Sequence, residues 1–152
     1  MTIQYLSQEK FDSLTQELED IQKIKMPETA VRIDEAKEMG DLKENAEYHA
    51  ARERMGWLNG RLQEIEYVLR NSEILSQKTG GDTVVVGSTV VIEVNNKKRE
   101  YSIVGAQEAD PLEGKISNES PIGSALLNKK KGDSIDITLP AGVQTYNILD
   151  IK

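Results

Sequence analysis

Asp41, Glu44 and Glu47 are crowded into one short run, GDLKENAEY, between Gly40 and Tyr48. Acids at this spacing have two uses. Asp41 and Glu44, three apart around a helix start, can point in similar directions. Magnesium keeps several waters and is usually held by one or two protein carboxylates together with substrate phosphates, so such a pair could complete a metal site without being one alone. The same residue types also build a helix start. Gly40 can take the left-handed conformation that ends one helix, Asp41 can N-cap the next, and Glu44 stands three residues on, as in a capping box. A negative charge in that first turn is favoured by ~0.3–1 kcal/mol. Residue types alone leave both readings open.

Other routes to catalysis are closed. The glycines form neither a GxxxxGK phosphate loop nor a GxGxxG turn, and there is no cysteine to act as nucleophile, thiolate ligand or disulfide. His49 is the only histidine, so a multi-histidine metal site is excluded, and its place in a helical pattern reads as surface.

The elements around the acidic run are legible from periodicity. No glycine occurs between Ser7 and Met39, and Phe11, Leu14, Leu18 and Ile21 recur at helical spacing. Ser7 is the expected N-cap, with Glu9 in the first turn. Pro27 should kink this helix without ending it, because the apolar phase moves from Ile21 and Ile24 to Ala30, Ile33 and Ala36. Past Gly40, the residues Tyr48, Ala51, Met55, Leu58, Leu62, Ile65 and Leu69 alternate spacings of three and four, a heptad seam. Two such helices joined by a few residues must run antiparallel as a hairpin, each arm roughly 50 Å long at a rise of ~1.5 Å per residue. A hairpin of that length carries its tip far from any globular core.

After Lys78–Asp82, which reads as a linker, β-branched residues alternate with polar ones. Strands are expected at Thr83–Val86, Thr89–Val94, Glu100–Val104, Lys115–Ile116, Ser134–Leu139 and Gln144–Ile151, with a short helix after Ser120 as N-cap and Pro121 at the first helical position. The expected fold is therefore α+β: a coiled-coil hairpin over residues 1–78, with its acidic tip at 40–47, then a small β-rich domain over 79–152.

Composition narrows the partners. A net charge of −7 argues against a chain whose main affinity is for nucleic-acid backbone, since that binding relies on lysine and arginine releasing counterions. No apolar run approaches the roughly 20 residues of a membrane span, and residues 1–10 lack the features of a secretory signal. A cytoplasmic, monomeric protein is expected.

The run EAKEMGDLKENAEYHAARERMGWLNGR (Glu35–Arg61) resembles the hairpin tip of the bacterial transcript cleavage factors of the Gre family. The blocks VVVGSTVVIE, IVGAQEADPLEGKIS, SPIGSALLNKKKGD and LPAGVQTYNILDI resemble the same family in order. The resemblance implies an FKBP-like C-terminal domain, and a factor that binds RNA polymerase, inserts its hairpin into the secondary channel and stimulates the polymerase's own cleavage of backtracked nascent RNA. The factor would not itself be the enzyme. Asp41 and Glu44 match the family's acidic pair, implied to help hold a second Mg2+ shared with the polymerase active centre. Lys37 and Arg52 fall where a basic patch is implied to contact the RNA 3′ end, each also being readable as a solvated charge, Arg52 beside a glutamate. Ser120, Pro121 and Ile122 match a segment implied to contact the β′ rim of the channel. Two alternatives remain at this level: a channel-binding regulator that does not promote cleavage, and an adaptor that binds a partner by shape.

Overall fold

The computed structural model describes residues 2–75 and 81–152, so most of the expected linker, Lys78 to Gly80, lies outside the described residues. The chain divides into two units. One is the hairpin Glu9–Asn71; the other joins the first eight residues to Ser72–Lys152.

The first arm of the hairpin runs through α1 (Gln8–Asp20), a π-helical turn (Ile21–Lys25) and α2 (Met26–Glu38). Pro27 has no N–H to give the Lys23 carbonyl and its ring crowds that oxygen. The helix answers by widening ahead of it: the Met26 N–H donates to the Ile21 carbonyl, five residues back. The irregularity expected at Pro27 is thus a π turn through which the helix continues. It also resets the seam. Leu14 and Ile21 are buried seven apart, the next buried position is Thr29, eight further on, and Ala36 follows seven beyond, opposite an unbroken seven-residue repeat of Ala51, Leu58 and Ile65. The extra residue of the π turn returns the apolar stripe to the partner helix. Thr29 rather than Ala30 occupies the seam, which corrects the expected phase. Its hydroxyl is satisfied by donating to the Lys25 carbonyl at 2.7 Å.

The second arm, α3 (Ala46–Arg70), has 25 residues, about 37 Å at 1.5 Å per residue. It is shorter than expected because it starts at Ala46 and because the chain after Arg70 turns to strand. Every heptad position read from the sequence, from Tyr48 to Leu69, is buried or half-buried. The arms are clamped by Arg61, which donates through Nε and one Nη to both oxygens of Glu17 at 2.7 and 2.9 Å and through its other Nη to Glu64 at 2.9 Å.

In the other unit, β1 (Gln4–Leu6) pairs in parallel with β2 (Ser72–Ile74). The Ser7 N–H and hydroxyl both donate to the Glu108 carboxylate, at 2.9 and 2.6 Å. Neither short strand is visible in the sequence. The main sheet has the order β5-β4-β3-β7-β6, from β3 (Thr89–Val94), β4 (Lys97–Val104), β5 (Lys115–Ser117), β6 (Ser134–Leu139) and β7 (Gly142–Ile151). Only the β4–β5 pair in it is parallel. Asn95 and Asn96 both take left-handed conformations, φ 52° and 61°, and close a two-residue hairpin whose twist matches the strands; β4 consequently begins at Lys97 rather than Glu100. The strand expected at Thr83–Val86 is reduced to a bridge between Thr83 and Lys130, although Val84 is fully buried. Helix α4 (Pro121–Leu126) covers one face of the sheet, and the core joins Val84, Val90, Ile92, Ile103, Leu126 and Ile148. The α+β class, a helical hairpin with a β-rich unit carrying one short helix, is as expected.

Candidate functional site at the hairpin tip

Met39 ends the first arm with its N–H on the Ala36 carbonyl at 3.1 Å, and Gly40 turns the chain at φ 139°, a conformation that suits glycine. The N-cap of α3 is Asn45, not Asp41. Its Oδ1 accepts from the Tyr48 N–H at 3.1 Å, while its Nδ2 donates back to the Ala36 carbonyl at 2.6 Å. One amide side chain thus closes the end of one arm and opens the next, which a carboxylate, lacking a donor, cannot do. The pattern Asp-x-x-Glu at 41–44 pointed to the wrong cap. Asn45 was findable from its type, since asparagine is among the preferred N-caps, but its grip on Ala36 is visible only in three dimensions.

Asp41 instead makes a local turn. Its Oδ1 accepts from the Lys43 N–H at 3.0 Å, and its carbonyl accepts from the Glu44 N–H at 3.3 Å. Asp41 and Glu44 are both exposed. Among the described residues, the Glu44 carboxylate has no hydrogen-bond or ion-pair partner. Glu47 is exposed in the first turn of α3. Two exposed acids fit Mg2+ only as a partial ligand set, to which another molecule adds the rest. Among the described residues no group of three or more His, Cys, Asp or Glu could hold a metal ion.

The flanking cations differ from each other. Among the described residues Arg52 pairs with no glutamate: its guanidinium lies 5.8 Å from the Tyr48 ring centre, and one Nη donates to the Tyr48 hydroxyl at 3.3 Å. Tyr48 also meets His49 edge-on, with ring centres 5.6 Å apart. Lys37 on the other arm is 3.9 Å from Asp34, an exposed pair that constrains it little. Between the arms, just below the tip, lies an open groove of about 750 Å3 bordered by Arg32, Glu35, Met39, Glu47 and Arg54. The charge of Arg32 and Arg54 beside the acidic tip was not singled out from the sequence.

In the β-rich unit, Ser120 caps α4 as expected. Its Oγ accepts from the Gly123 N–H at 3.0 Å and donates to the Ser117 carbonyl at 2.7 Å. Pro121 is exposed at the first helical position, and Ile122 is half-buried against the core.

These features define a two-unit α+β protein that carries exposed acids on the tip of a helical hairpin. Residues 4–74 match the family described as transcription elongation factor, N-terminal, and residues 77–152 match transcription elongation factor, GreA/GreB, C-term. The chain belongs to the GreA/GreB family of transcription elongation factors. It is 42% identical over 143 residues to transcription elongation factor GreA of Maricaulis maris, spanning 92% of this chain and 91% of that one. It is 43% identical over 149 residues to GreA of Thermomicrobium roseum, spanning 97% and 96%. Among solved structures, GreA factor homolog 1 of Thermus thermophilus is 25% identical with a TM-score of 0.47, over 99% of each chain. No helix among the described residues is long and apolar enough to cross a membrane.

Proposed function

We propose that this chain is a transcript cleavage factor: it binds RNA polymerase, passes its hairpin into the secondary channel and stimulates the polymerase's own hydrolysis of backtracked nascent RNA. The observation that carries this reading is the division of labour at the tip. Asn45 holds the helix start, so Asp41 and Glu44 have no capping task, and the Glu44 carboxylate in particular is left without a partner among the described residues. Exposed, unspent carboxylates at the end of a long arm are what an in-trans ligand needs.

In this mechanism Asp41 offers the carboxylate oxygen that its own turn does not use, and Glu44 offers both. A second Mg2+, shared with the polymerase, would supply charge stabilisation and an activated water in a two-metal displacement. The factor's own residues position and hold. Arg52, oriented by the Tyr48 ring, and Lys37 present positive charge to the extruded RNA 3′ end. Ser120, Pro121 and Ile122 face the β′ rim, with Pro121 and Ile122 offering apolar surface. The catalytic centre remains the polymerase's, and the factor is not an enzyme by itself.

The test removes charge and keeps shape. Asn in place of Asp41 retains the turn acceptor, and Gln in place of Glu44 retains length. The double variant Asp41→Asn with Glu44→Gln is expected to bind core polymerase as the parent does and to lose at least about tenfold in cleavage rate on backtracked complexes, the cost of ~1.4 kcal/mol of transition-state stabilisation. Full cleavage by this variant would remove the metal role. Failure of the parent to bind polymerase would remove the whole reading.

A further inference from the structure

On β4, side chains alternate between faces: Ile103 is buried in the core and Tyr101 packs against it, so Arg99 and Lys97 project from the same face beyond the end of the core. On β7, Tyr146 is buried in that core and Gln144 stands two residues outward. Lys97, Arg99, Tyr101, Gln144 and Tyr146, with Val94 and Asn95, line a depression of about 300 Å3.

Cations and hydrogen-bond donors are prominent in its lining. The Tyr146 hydroxyl donates to Gln144 Oε1 at 3.1 Å, which leaves the Gln144 amide NH2 to donate outward. Lys115, Lys131 and Lys152 of the same unit each lie within reach of an acid, at 3.2, 3.5 and 3.4 Å. Lys97 and Arg99, like Lys98, Lys129 and Lys130, have no such partner among the described residues. The neighbouring acids Glu93 and Glu100 sit on the opposite face by the strand alternation. Burial raises the Tyr146 phenol above its ordinary pKa, Tyr101 adds to this, and Arg99 opposes it, which places the Arg99 charge close to that ring.

Among the described residues, the outer edge of β4, on the side away from β3 and β7, is unpaired from Lys97 to Arg99. β5 pairs with β4 from Ser102 to Val104, and Gly114 stands against the Glu100 carbonyl, where an added Cβ would lie 3.0 Å from that oxygen. The Ser102 N–H points outward, to the Gly114 carbonyl at 2.8 Å, and by the two-residue repeat of an antiparallel ladder the N–H groups of Glu100 and Lys98 point the same way.

We propose that this edge docks an extended acidic segment of a protein partner, which adds as a strand beside Lys97–Arg99 and sets alternate carboxylates against the Lys97 and Arg99 side chains. An added strand supplies main-chain bonds for affinity and alternate side chains for specificity, and Arg99 can hold a carboxylate bidentately. A nucleic acid fits less well, because two cations neutralise few phosphates, the chain carries −7 overall, and a phosphate backbone has no amides for a strand edge. This surface is separate from the Ser120–Ile122 contact proposed above and does not depend on cleavage activity.

The full chain, labelled with nitrogen-15, is titrated with a hexapeptide of alternating glutamate and threonine, with its glutamine counterpart, and with a single-stranded oligonucleotide of equal charge. The acidic peptide is expected to shift the amides of Lys98 and Glu100 saturably. The response should weaken about tenfold with the glutamine peptide and in a Lys97→Gln, Arg99→Gln variant, the loss expected for a charge-assisted pair; unchanged peaks elsewhere in that variant's spectrum certify its fold. The proposal is overturned by any of three results: no saturable shifts up to millimolar peptide, equal binding of the glutamine peptide, or tighter binding of the oligonucleotide at the same amides.

Discussion

Asp41 and Asp110 perform the same local act in opposite settings. Each side chain accepts an N–H two residues ahead, from Lys43 at 3.0 Å and from Leu112 at 3.1 Å. Each turn contains a glycine with positive φ, Gly40 at 139° and Gly114 at 74°. The Asp110 turn is then tied into the sheet: Asp110 and Lys115 exchange both backbone hydrogen bonds, at 2.8 and 2.9 Å, and Gly114 accepts from Ser102. The Asp41 turn is held only by its own Glu44 N–H and by Asn45 at its exit. One aspartate serves the fold because a sheet surrounds it. The other stands at a tip where structure asks little of its charge, and its carboxylate remains available.

That contrast between a tightly approached β unit and an open hairpin predicts opposite responses to the same substitution. A methyl at Gly105 would overlap the Tyr5 carbonyl, and one at Gly123 the Ser117 carbonyl, whereas methyls at Gly56 and Gly60 in α3 meet nothing within 4 Å. Gly105→Ala or Gly123→Ala is expected to destabilise the β unit by about 3 kcal/mol or more, since backbone cannot yield as a flexible side chain does. Gly56→Ala and Gly60→Ala should each stabilise the hairpin by ~0.5–1 kcal/mol through helix propensity. Denaturant titration followed by helix signal and by sheet amides separates the two; equal effects in both units would dissolve the contrast.

Asn45→Ala comes next, with an expected cost of about 1–2 kcal/mol to the hairpin because both a cap and a bond to Ala36 are lost. Asp41→Asn should leave hairpin stability unchanged within ~0.5 kcal/mol, as at an ordinary surface position. If Asp41→Asn proved the costlier of the two in thermal unfolding, the assignment of the cap to Asn45 would be wrong.

The smallest effect concerns pH. The hydrogen bonds from Arg61 hold the Glu17 carboxyl below its ordinary pKa, against an opposing push from burial. The unfolded chain therefore binds that proton more tightly, so the contribution of Glu17 is complete above the ordinary carboxylate range and fades as pH falls through the lowered value. Glu17→Gln should cost about 0.5–1 kcal/mol at neutral pH, allowing for solvent screening of a pair that is partly exposed. The difference from the parent should shrink as the pH is lowered, as unfolding curves at pH 7 and pH 3 would report.

Legibility followed the range of the interactions. The seam of α3 was readable because a seven-residue repeat is a local signal, and the Ser120–Pro121 cap because its partner, Gly123, is three residues away. Local signals also misled where two caps competed: Asp41 and Asn45 both suit a helix start, and the choice was made by the Ala36 carbonyl, which only the folded hairpin brings to Asn45. The strand at Thr83–Val86 shrank to a bridge because a β-branched run records burial, which Val84 achieves, without recording how far a neighbour pairs with it, here Asn128 to Lys130 alongside Thr83 and Val84. Gln4–Leu6 and Ser72–Ile74 were invisible because each is three residues long and its partner lies at the far end of the hairpin.

By itself the sequence determined the two-unit α+β plan, the seam of the second arm, the acidic run at the turn and the membership those motifs implied. All of these are written in residue type and short period. Tertiary structure alone decided that Asn45 caps the helix, that a π turn carries the first arm's seam past Pro27, and that Ser7 bonds Glu108 across 101 residues. It also decided which cations lack acids beside them. For Asn45 and Ser7 the physical reason is that a donor and an acceptor distant along the chain meet only in the folded state; the π turn is local, but the seam it preserves is defined by the partner helix.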